Sequence, residues 1–167
     1  MALPGSTMRE GLIVGLIGYA SVAVFYTLFD LLAGRGWVFT LDLLGKVLFR
    51  GVRDPSVLQL PMQPDLGAMF VYNMLHLAIS LGVGLLVSGL VARAERRPRI
   101  GYSVLLVLAA GYLITVAAIT VFARDIAPLL PLWSIVIVNT IAATGGGLFL
   151  WHNHPDLWGR VRGAWAG

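Results

Sequence analysis

The fold is decided by residues 66–92, which read LGAMFVYNMLHLAISLGVGLLVSGLVA and contain no Asp, Glu, Lys or Arg. A helix rises about 1.5 Å per residue, so this run is long enough to cross a hydrocarbon core of about 30 Å. Three further apolar runs of sufficient length occupy residues 11–32, 100–123 and 129–151. The sequence therefore predicts an all-α fold, in which a bundle of four transmembrane helices forms one membrane domain over the whole chain.

The composition supports a membrane location and excludes several classes of protein. Hydrophobic residues make up 58% of the chain and charged residues 12%, about half the ~25% found in ordinary soluble domains. The chain has no cysteine, which excludes disulfide scaffolds, zinc ribbons and thiolate nucleophiles. The net charge of +4 comes from basic residues that flank the apolar runs, so we expect anionic lipid head groups and not nucleic acid as its counterpart.

The density of basic residues predicts the orientation in the membrane. The short segment RAERRPR (residues 93–99) contains four arginines, whereas the first loop spreads its basic residues among aspartates. Basic residues close to helix ends favour the cytoplasmic side. We therefore expect both chain termini in the cytoplasm.

A short amphipathic helix is predicted in the first loop, at approximately residues 41–50, within TLDLLGKVLFRG (residues 40–51). Thr40 is a suitable N-terminal cap and Gly51 a suitable C-terminal stop. The charged face comprises Asp42, Lys46 and Arg50. The apolar face comprises Leu41, Leu44, Val47 and Leu48. A helix of this length is too short to span, so it is expected to lie in the outer membrane interface.

The first half of the chain resembles a group of uncharacterised bacterial four-helix integral membrane proteins. The resemblance rests on the stretch DLLAGRGWVFTLDLLGKVLFRG (residues 30–51) followed by a span that carries a histidine. The matching positions are Asp30, Gly34, Thr40, Leu44, Gly45, Leu48 and His76. It implies a four-helix membrane fold in the bacterial inner membrane, and it implies no activity.

Polar residues of the first two spans are predicted to meet. Residues Tyr19, Ala23, Tyr26 and Asp30 recur at helical spacing, and so do Tyr72, Asn73, His76 and Ser80. With span midpoints near Ser21 and Ile79, Tyr26 and His76 come to similar depths. The predicted polar cluster therefore consists of Tyr26, Asp30, Tyr72, Asn73 and His76.

His76 has three possible roles, since an ionisable residue at membrane depth is a functional hypothesis by default. It could hold helices together by a hydrogen bond, contact a ligand such as a haem or pigment, or carry a proton. No second histidine lies at its depth, because His152 and His154 fall at the opposite membrane face. Those two residues point apart on a helix, so we expect an interfacial polar cap there and no metal site.

Glycines are concentrated in the half of the spans that is expected to be cytoplasmic. The predicted helix-packing positions are Gly15, Gly18, Gly82, Gly84, Gly145, Gly146 and Gly147. Small residues allow helices to approach closely. The pattern predicts a bundle that is tight at its inner end and more polar at its outer end.

The spans contain no Ser/His/Asp order, phosphate-binding loop or paired carboxylates, so we do not expect an enzyme. The favoured interpretation is a non-catalytic interaction protein, an accessory or assembly subunit of a larger membrane complex. One alternative is a small oligomeric transporter or channel with a polar cavity at Asp30 and His76. Another is a subunit that contacts a pigment or haem through His76. The expected partners are membrane lipids, including bound lipids, and other membrane protein subunits; no other cofactor is expected.

Overall fold

The computed structural model is helical, and the residues that it describes contain no strand. The described residues are 5–52, 63–97, 101–122, 126, 128–157 and 159, without the side chains of 102–105, 118–120 and 122. The helices are α1 (Gly5–Leu32), α2 (Phe39–Arg50), α3 (Leu66–Arg96), α4 (Gly101–Phe122) and α5 (Leu132–Asn153). Arg99, which contributes to the predicted orientation, lies outside the described residues.

Three of the helices, α1, α3 and α5, are long and apolar enough to cross a membrane. The prediction of long apolar helices is confirmed for these three, with ends that differ by a few residues from the predicted ones. Helix α4 has 22 residues, and its described apolar stretch is the shorter Leu106–Ala117.

The four long helices are arranged in a ring. Helix α1 packs against α3 on one side and α5 on the other, and α4 contacts both α3 and α5. One end of the ring, called here the α2 end, is covered by α2, whose Phe39 packs with Ile126 and Leu130. The opposite end, called here the termini end, holds the start of α1 and the ends of α3 and α5. Helix α4 starts soon after α3 ends and is followed by Ile126, so it runs from the termini end to the α2 end.

The backbones of α1 and α3 touch where glycines face each other. A Cβ placed on Gly15 would lie 2.6 Å from Leu81 Cα, and one on Gly11 would lie 2.8 Å from Leu85 Cα. A Cβ on Gly84 would lie 2.8 Å from Gly15 Cα. Any larger residue would separate the helices, so Gly15 and Gly84 are packing positions as predicted.

The other predicted glycines divide into two groups. A Cβ on Gly145 would be 3.0 Å from Ile17 Cγ2, and one on Gly146 would be 3.3 Å from Val14 Cγ1, so both face α1. A Cβ on Gly18, Gly82 or Gly147 would meet nothing within 4 Å in the described part of the chain. Within that part, the prediction that these three glycines pack against another helix is wrong. Successive helical residues are rotated by about 100°, so neighbouring glycines cannot all face the same helix.

Helix α2 begins and ends close to the predicted positions, but its cap differs from the prediction. Gly51 ends the helix in the left-handed conformation, with φ of 68°, and its N–H donates to the Lys46 carbonyl. The N-cap residue is Val38, which provides no side-chain cap. The prediction that Thr40 caps the helix is therefore wrong, because Thr40 lies inside the first turn.

The buried face of α2 is rotated from the predicted one. Leu43 is 0% exposed and packs with Phe39 against Ile126, Leu130 and Ile135, whereas Leu48 is 44% exposed. The residues predicted on the apolar face with Leu48 are Leu41, Leu44 and Val47, and all three are only half-buried. The predicted face is right in part, because Leu44 and Val47 pack against that core. Leu43 and Gly45 are buried more deeply, and a Cβ on Gly45 would lie 2.8 Å from the Ala68 carbonyl carbon.

Candidate functional site

Asp30 lies near the end of α1 and caps α2. Its side chain is 1% exposed. The Thr40 N–H donates to Asp30 Oδ2 at 2.6 Å, and the Thr40 hydroxyl donates to Asp30 Oδ1 at 2.8 Å. The first turn of a helix has unpaired N–H groups and a partial positive charge. The Asp30 carboxylate thus supplies, from another helix, the cap that Val38 lacks.

Arg35 provides the counter-charge for Asp30. Its Nη2 lies 3.4 Å from Asp30 Oδ1, and its Nη1 donates to the Leu129 carbonyl at 2.8 Å. The guanidinium also lies over the rings of Phe29 and Phe39, at 4.9 Å and 4.6 Å from their centroids. Arg35 therefore joins the end of α1, the start of α2 and the segment before α5. We call Asp30, Arg35, Thr40 and the Leu129 carbonyl the Asp30 cluster.

A second set of charges links α2 to the start of α3. Lys46 Nζ donates to Asp42 Oδ2 at 2.6 Å, and the Asp65 N–H donates to Asp42 Oδ1 at 2.8 Å. Arg50 Nε donates to Asp65 Oδ2 at 2.8 Å. Asp65 Oδ1 in turn accepts from the Ala68 N–H at 2.9 Å and caps α3. The predicted charged face of α2 is thus engaged with the protein, and Asp42 is buried.

The Asp65 carboxylate stays ionised at neutral pH. The hydrogen bond from Arg50, and after it the bond from the Ala68 N–H, lower the pKa of Asp65 to about 2. A lowered carboxyl pKa stabilises the fold above the ordinary pKa of aspartate, and this contribution is lost as the pH falls toward the lowered value. The ion pair between Arg50 and Asp65 therefore contributes its full stabilisation from neutral pH down to about pH 4 and loses it as the pH falls toward about 2.

His76 lies between two tyrosines. Its ring centroid is 5.6 Å from that of Tyr19 and 6.2 Å from that of Tyr72, whose plane is within 3° of its own. The Tyr19 hydroxyl donates to Asn73 Oδ1 at 2.8 Å. We call Tyr19, Tyr72, Asn73 and His76 the His76 cluster. The Nε2 atom of His76 is buried without a hydrogen-bond partner among the described residues, so the predicted hydrogen bond is not formed at that atom.

The predicted five-residue cluster is wrong as a single group, and the register of α1 against α3 explains why. Gly11 meets Leu85 and Gly15 meets Leu81. Continuing this antiparallel register places Tyr19, and not Tyr26, at the level of His76.

Tyr26 and Asp30 find partners on other elements. The Tyr26 hydroxyl lies 3.3 Å from Ser134 Oγ on α5, and Asp30 belongs to the Asp30 cluster. The structure thus brings together Tyr72, Asn73 and His76. Tyr26 and Asp30 make their hydrogen bonds to other elements, although Tyr26 lies close enough to Tyr72 and to Asp30 to interact with both electrostatically.

His154 joins three helices at the termini end. Its Nδ1 lies 2.7 Å from Glu95 Oε1 on α3, and its Nε2 lies 3.2 Å from Glu10 Oε2 on α1. The imidazole is 10% exposed. Burial alone lowers the pKa of His154, but the hydrogen bonds to Glu95 and Glu10 and their charges raise it above its ordinary value. We call Glu10, Glu95 and His154 the His154 cluster.

Comparisons with protein-family models, curated proteins and solved structures give no match. Function is therefore inferred from the geometry of the clusters. Within the described ranges, no group of three or more His, Cys, Asp or Glu residues is arranged to hold a metal ion.

Several residues of these clusters were not among the predicted site residues. Tyr19 recurs at helical spacing with Tyr26 and Asp30, so the sequence already indicated that it shares their face of the helix. Arg35 is five residues from Asp30, and a buried carboxylate requires a counter-charge within reach. The partners of His154 have no comparable local signal, since Glu95 and Glu10 are 59 and 144 residues away in the chain.

Proposed function

We propose that this chain is a four-span protein of the bacterial inner membrane, with both termini in the cytoplasm. We further propose that it acts without catalysis, as an accessory or assembly subunit of a larger membrane complex. Helix α4 is taken as the fourth span because it runs between the same two ends of the ring as the other three long helices.

The observation that carries the proposal is the use of the described carboxylates to connect elements. Those with hydrogen bonds to other elements are Glu10, Asp30, Asp42, Asp65 and Glu95. A general acid or base must be within reach of a substrate proton. These carboxylates are committed instead to helix caps and ion pairs, which favours a structural role for the polar residues.

Each long helix also presents large apolar side chains outward. Examples are Leu16 on α1 (49% exposed), Phe70 on α3 (64%), Leu113 on α4 (65%) and Leu148 on α5 (65%). In a membrane such faces meet lipid or the packed surface of another protein. A small protein with four such faces and no described soluble domain suits an interaction role.

The two alternatives have less support from the geometry. A shared transport cavity requires Asp30 and His76 to line one space, but they belong to separate clusters and both oxygens of Asp30 are bound. Haem or pigment contact through Nε2 of His76 requires α1 and α3 to move, because that atom is buried.

Site-specific photo-crosslinking in native membranes tests the proposal. A photoreactive residue replaces one exposed side chain per helix, at Leu16, Phe70, Leu113 or Leu148. We expect one or two positions to give an adduct with a single different protein, and the remaining positions to give lipid adducts only. The positions without a protein adduct are the matched controls, since all four have similar exposure.

Other outcomes would contradict an accessory role. Lipid adducts at all four positions would indicate a protein without a partner subunit. Adducts only between copies of this chain would favour the oligomeric transporter or channel. Visible absorbance of the purified protein, lost in His76→Phe, would favour the pigment or haem alternative.

A further inference from the structure

The ring of His154 is placed between two carboxylates, one at each nitrogen. Carboxylates only accept hydrogen bonds when ionised. A neutral imidazole has a single N–H and donates to one of them, while its other nitrogen presents a lone pair to the second. An imidazolium donates to both. The distances of 2.7 Å and 3.2 Å therefore fit the protonated ring.

We propose that His154 is a proton-operated latch, which in its protonated form holds the ends of α1, α3 and α5 together. Loss of the proton leaves Glu10 and Glu95 without the cation between them. The termini end then opens while the rest of the bundle stays folded. This inference does not depend on the proposed role as an accessory subunit.

The charged groups that face His154 favour the proton. Glu10 faces it from α1 and Glu95 from α3. On its own segment, Asp156 lines the same small cavity as Glu95 and His154. All three are acidic. The basic residues on the packed elements are Arg9 on α1 and Arg93, Arg96 and Arg97 at the end of α3; all four are exposed, and the charges that act on His154 are those of Glu95 and Glu10.

The sign of the pH dependence follows from the raised pKa of His154. A histidine with a raised pKa in the closed state stabilises that state at low pH, and the stabilisation is lost as the pH rises through the raised value. The latch is thus closed at mildly acidic pH and opens above the ordinary histidine pKa of about 6.5.

Apolar packing beneath the latch limits the opening to the helix ends. Leu150 and Leu157 pack with Val87, Val91 and Ala94 in one buried group. These contacts lie on both sides of His154 in the chain and do not titrate, so they hold the end of α5 against α3 when His154 is neutral, and the start of α1 is the part that moves away. Helix ends open at lower free energy than packed cores, which makes the termini end the part that responds.

Spin labels on a cysteine pair measure the opening, since the chain has no cysteine of its own. Ser6→Cys and Gly159→Cys place labels at two exposed positions of the termini end. In nanodiscs we expect a short, narrow distance distribution at about pH 5.5 and a longer, broader one at about pH 8.5. If the carboxylates raise the pKa of His154 by one unit, the ratio of open to closed molecules is about tenfold higher at the high-pH end of the titration than at the low-pH end.

Three variants in the labelled protein isolate His154 from the other titrating groups. His154→Gln should show the open distribution at both pH values. His154→Arg, which stays charged and donates to two carboxylates, should stay closed at both. His152→Gln removes an exposed histidine two residues away and should keep the full pH response.

An unchanged distance distribution across the pH range would overturn the latch, and so would an equal pH response in the parent and in His154→Gln. If His154→Gln does not fold, the imidazole titration of His154 by NMR provides the test. Glu95→Gln should then lower the pKa of His154, and an unaltered titration would overturn the proposal.

Discussion

Asp30 is a buried carboxylate in an otherwise apolar helix. A buried charge costs several kcal/mol unless good hydrogen bonds and an opposite charge compensate it. The Thr40 N–H and hydroxyl and the Arg35 guanidinium provide this compensation at 2.6 Å, 2.8 Å and 3.4 Å. The same carboxylate satisfies the helix terminus of α2. Its loss therefore affects two helices and leaves a cation without its partner.

We expect Asp30→Ala to lower the free energy of unfolding by about 3–5 kcal/mol, because it leaves the Arg35 charge largely buried and unpaired. It also leaves the Thr40 N–H without a partner. Reversible unfolding in mixed detergent micelles measures the change.

Thr40→Val is the matched control for this prediction. It removes only the hydroxyl bond to the carboxylate at nearly constant volume, so we expect a loss of about 1.5–3 kcal/mol, smaller than that of Asp30→Ala. Equal losses in Asp30→Ala and Thr40→Val would contradict a compensated buried pair at Asp30.

At the scale of elements, the contact between α1 and α3 sets the register of the bundle. Gly11 and Gly15 on α1 meet Leu85, Leu81 and Gly84 on α3 with their backbones in contact. Close approach increases the van der Waals contact that drives helix association in lipid. The same register determines which polar residues meet further along the helices, including Tyr19 and His76.

We expect Gly84→Ala to destabilise the bundle by about 3 kcal/mol, since the added Cβ overlaps the α1 backbone and overpacking forces shifts. A cysteine crosslink between α1 and α3 should also form more slowly in this variant. Unfolding in mixed micelles and the crosslinking rate are the two measurements.

Gly82→Ala is the control on the same helix, two residues away. A Cβ there meets nothing within 4 Å in the described part of the chain, and alanine is favoured over glycine in helices by about 0.5–1 kcal/mol. We expect unchanged or slightly higher stability, and a large loss in this variant would contradict the packing described for α3.

At the scale of the whole molecule, the ring of four helices has two chemically different ends. The α2 end is closed by α2 and two sets of ion pairs, whereas the termini end is joined by the His154 cluster. If all four long helices cross the membrane, these ends face different compartments. Helix α4 connects the two ends, so its crossing decides whether Arg97 and Pro128 lie on opposite sides of the membrane.

Single cysteines labelled with an impermeant maleimide on intact cells test the topology. We expect Gln63→Cys and Pro128→Cys, at the α2 end, to react from outside. Ser6→Cys and Arg97→Cys, at the termini end, should react only after permeabilisation.

Two other patterns are informative. Reaction of Arg97→Cys and Pro128→Cys from the same side would show that α4 does not cross. Reversal at all four positions would preserve the four spans and overturn the predicted orientation.

The amino-acid sequence by itself determined the helical class and the positions of the long helices. The apolar runs extend over a membrane thickness, and in lipid the backbone must satisfy its own hydrogen bonds, so helices follow directly. The amphipathic segment that became α2 and its end at Gly51 were likewise predictable from local chemistry. Gly15 and Gly84 were among the seven glycines predicted as packing positions, but the sequence alone did not distinguish them from Gly18, Gly82 and Gly147, which meet nothing within 4 Å in the described part of the chain.

The tertiary structure alone decided which polar groups meet. The sequence placed Tyr26 and His76 at similar depths because the midpoints of their two spans were assumed to lie at the same level of the membrane. The glycine contacts shift α1 along α3 and bring Tyr19 to His76 instead. The partner of Asp30 depended on how α2 folds back, and those of His154 on how three distant segments converge. Hydrogen bonds and ion pairs require positions accurate to a fraction of an ångström. Such positions come from the packing of whole helices, which helical periodicity within one segment does not specify.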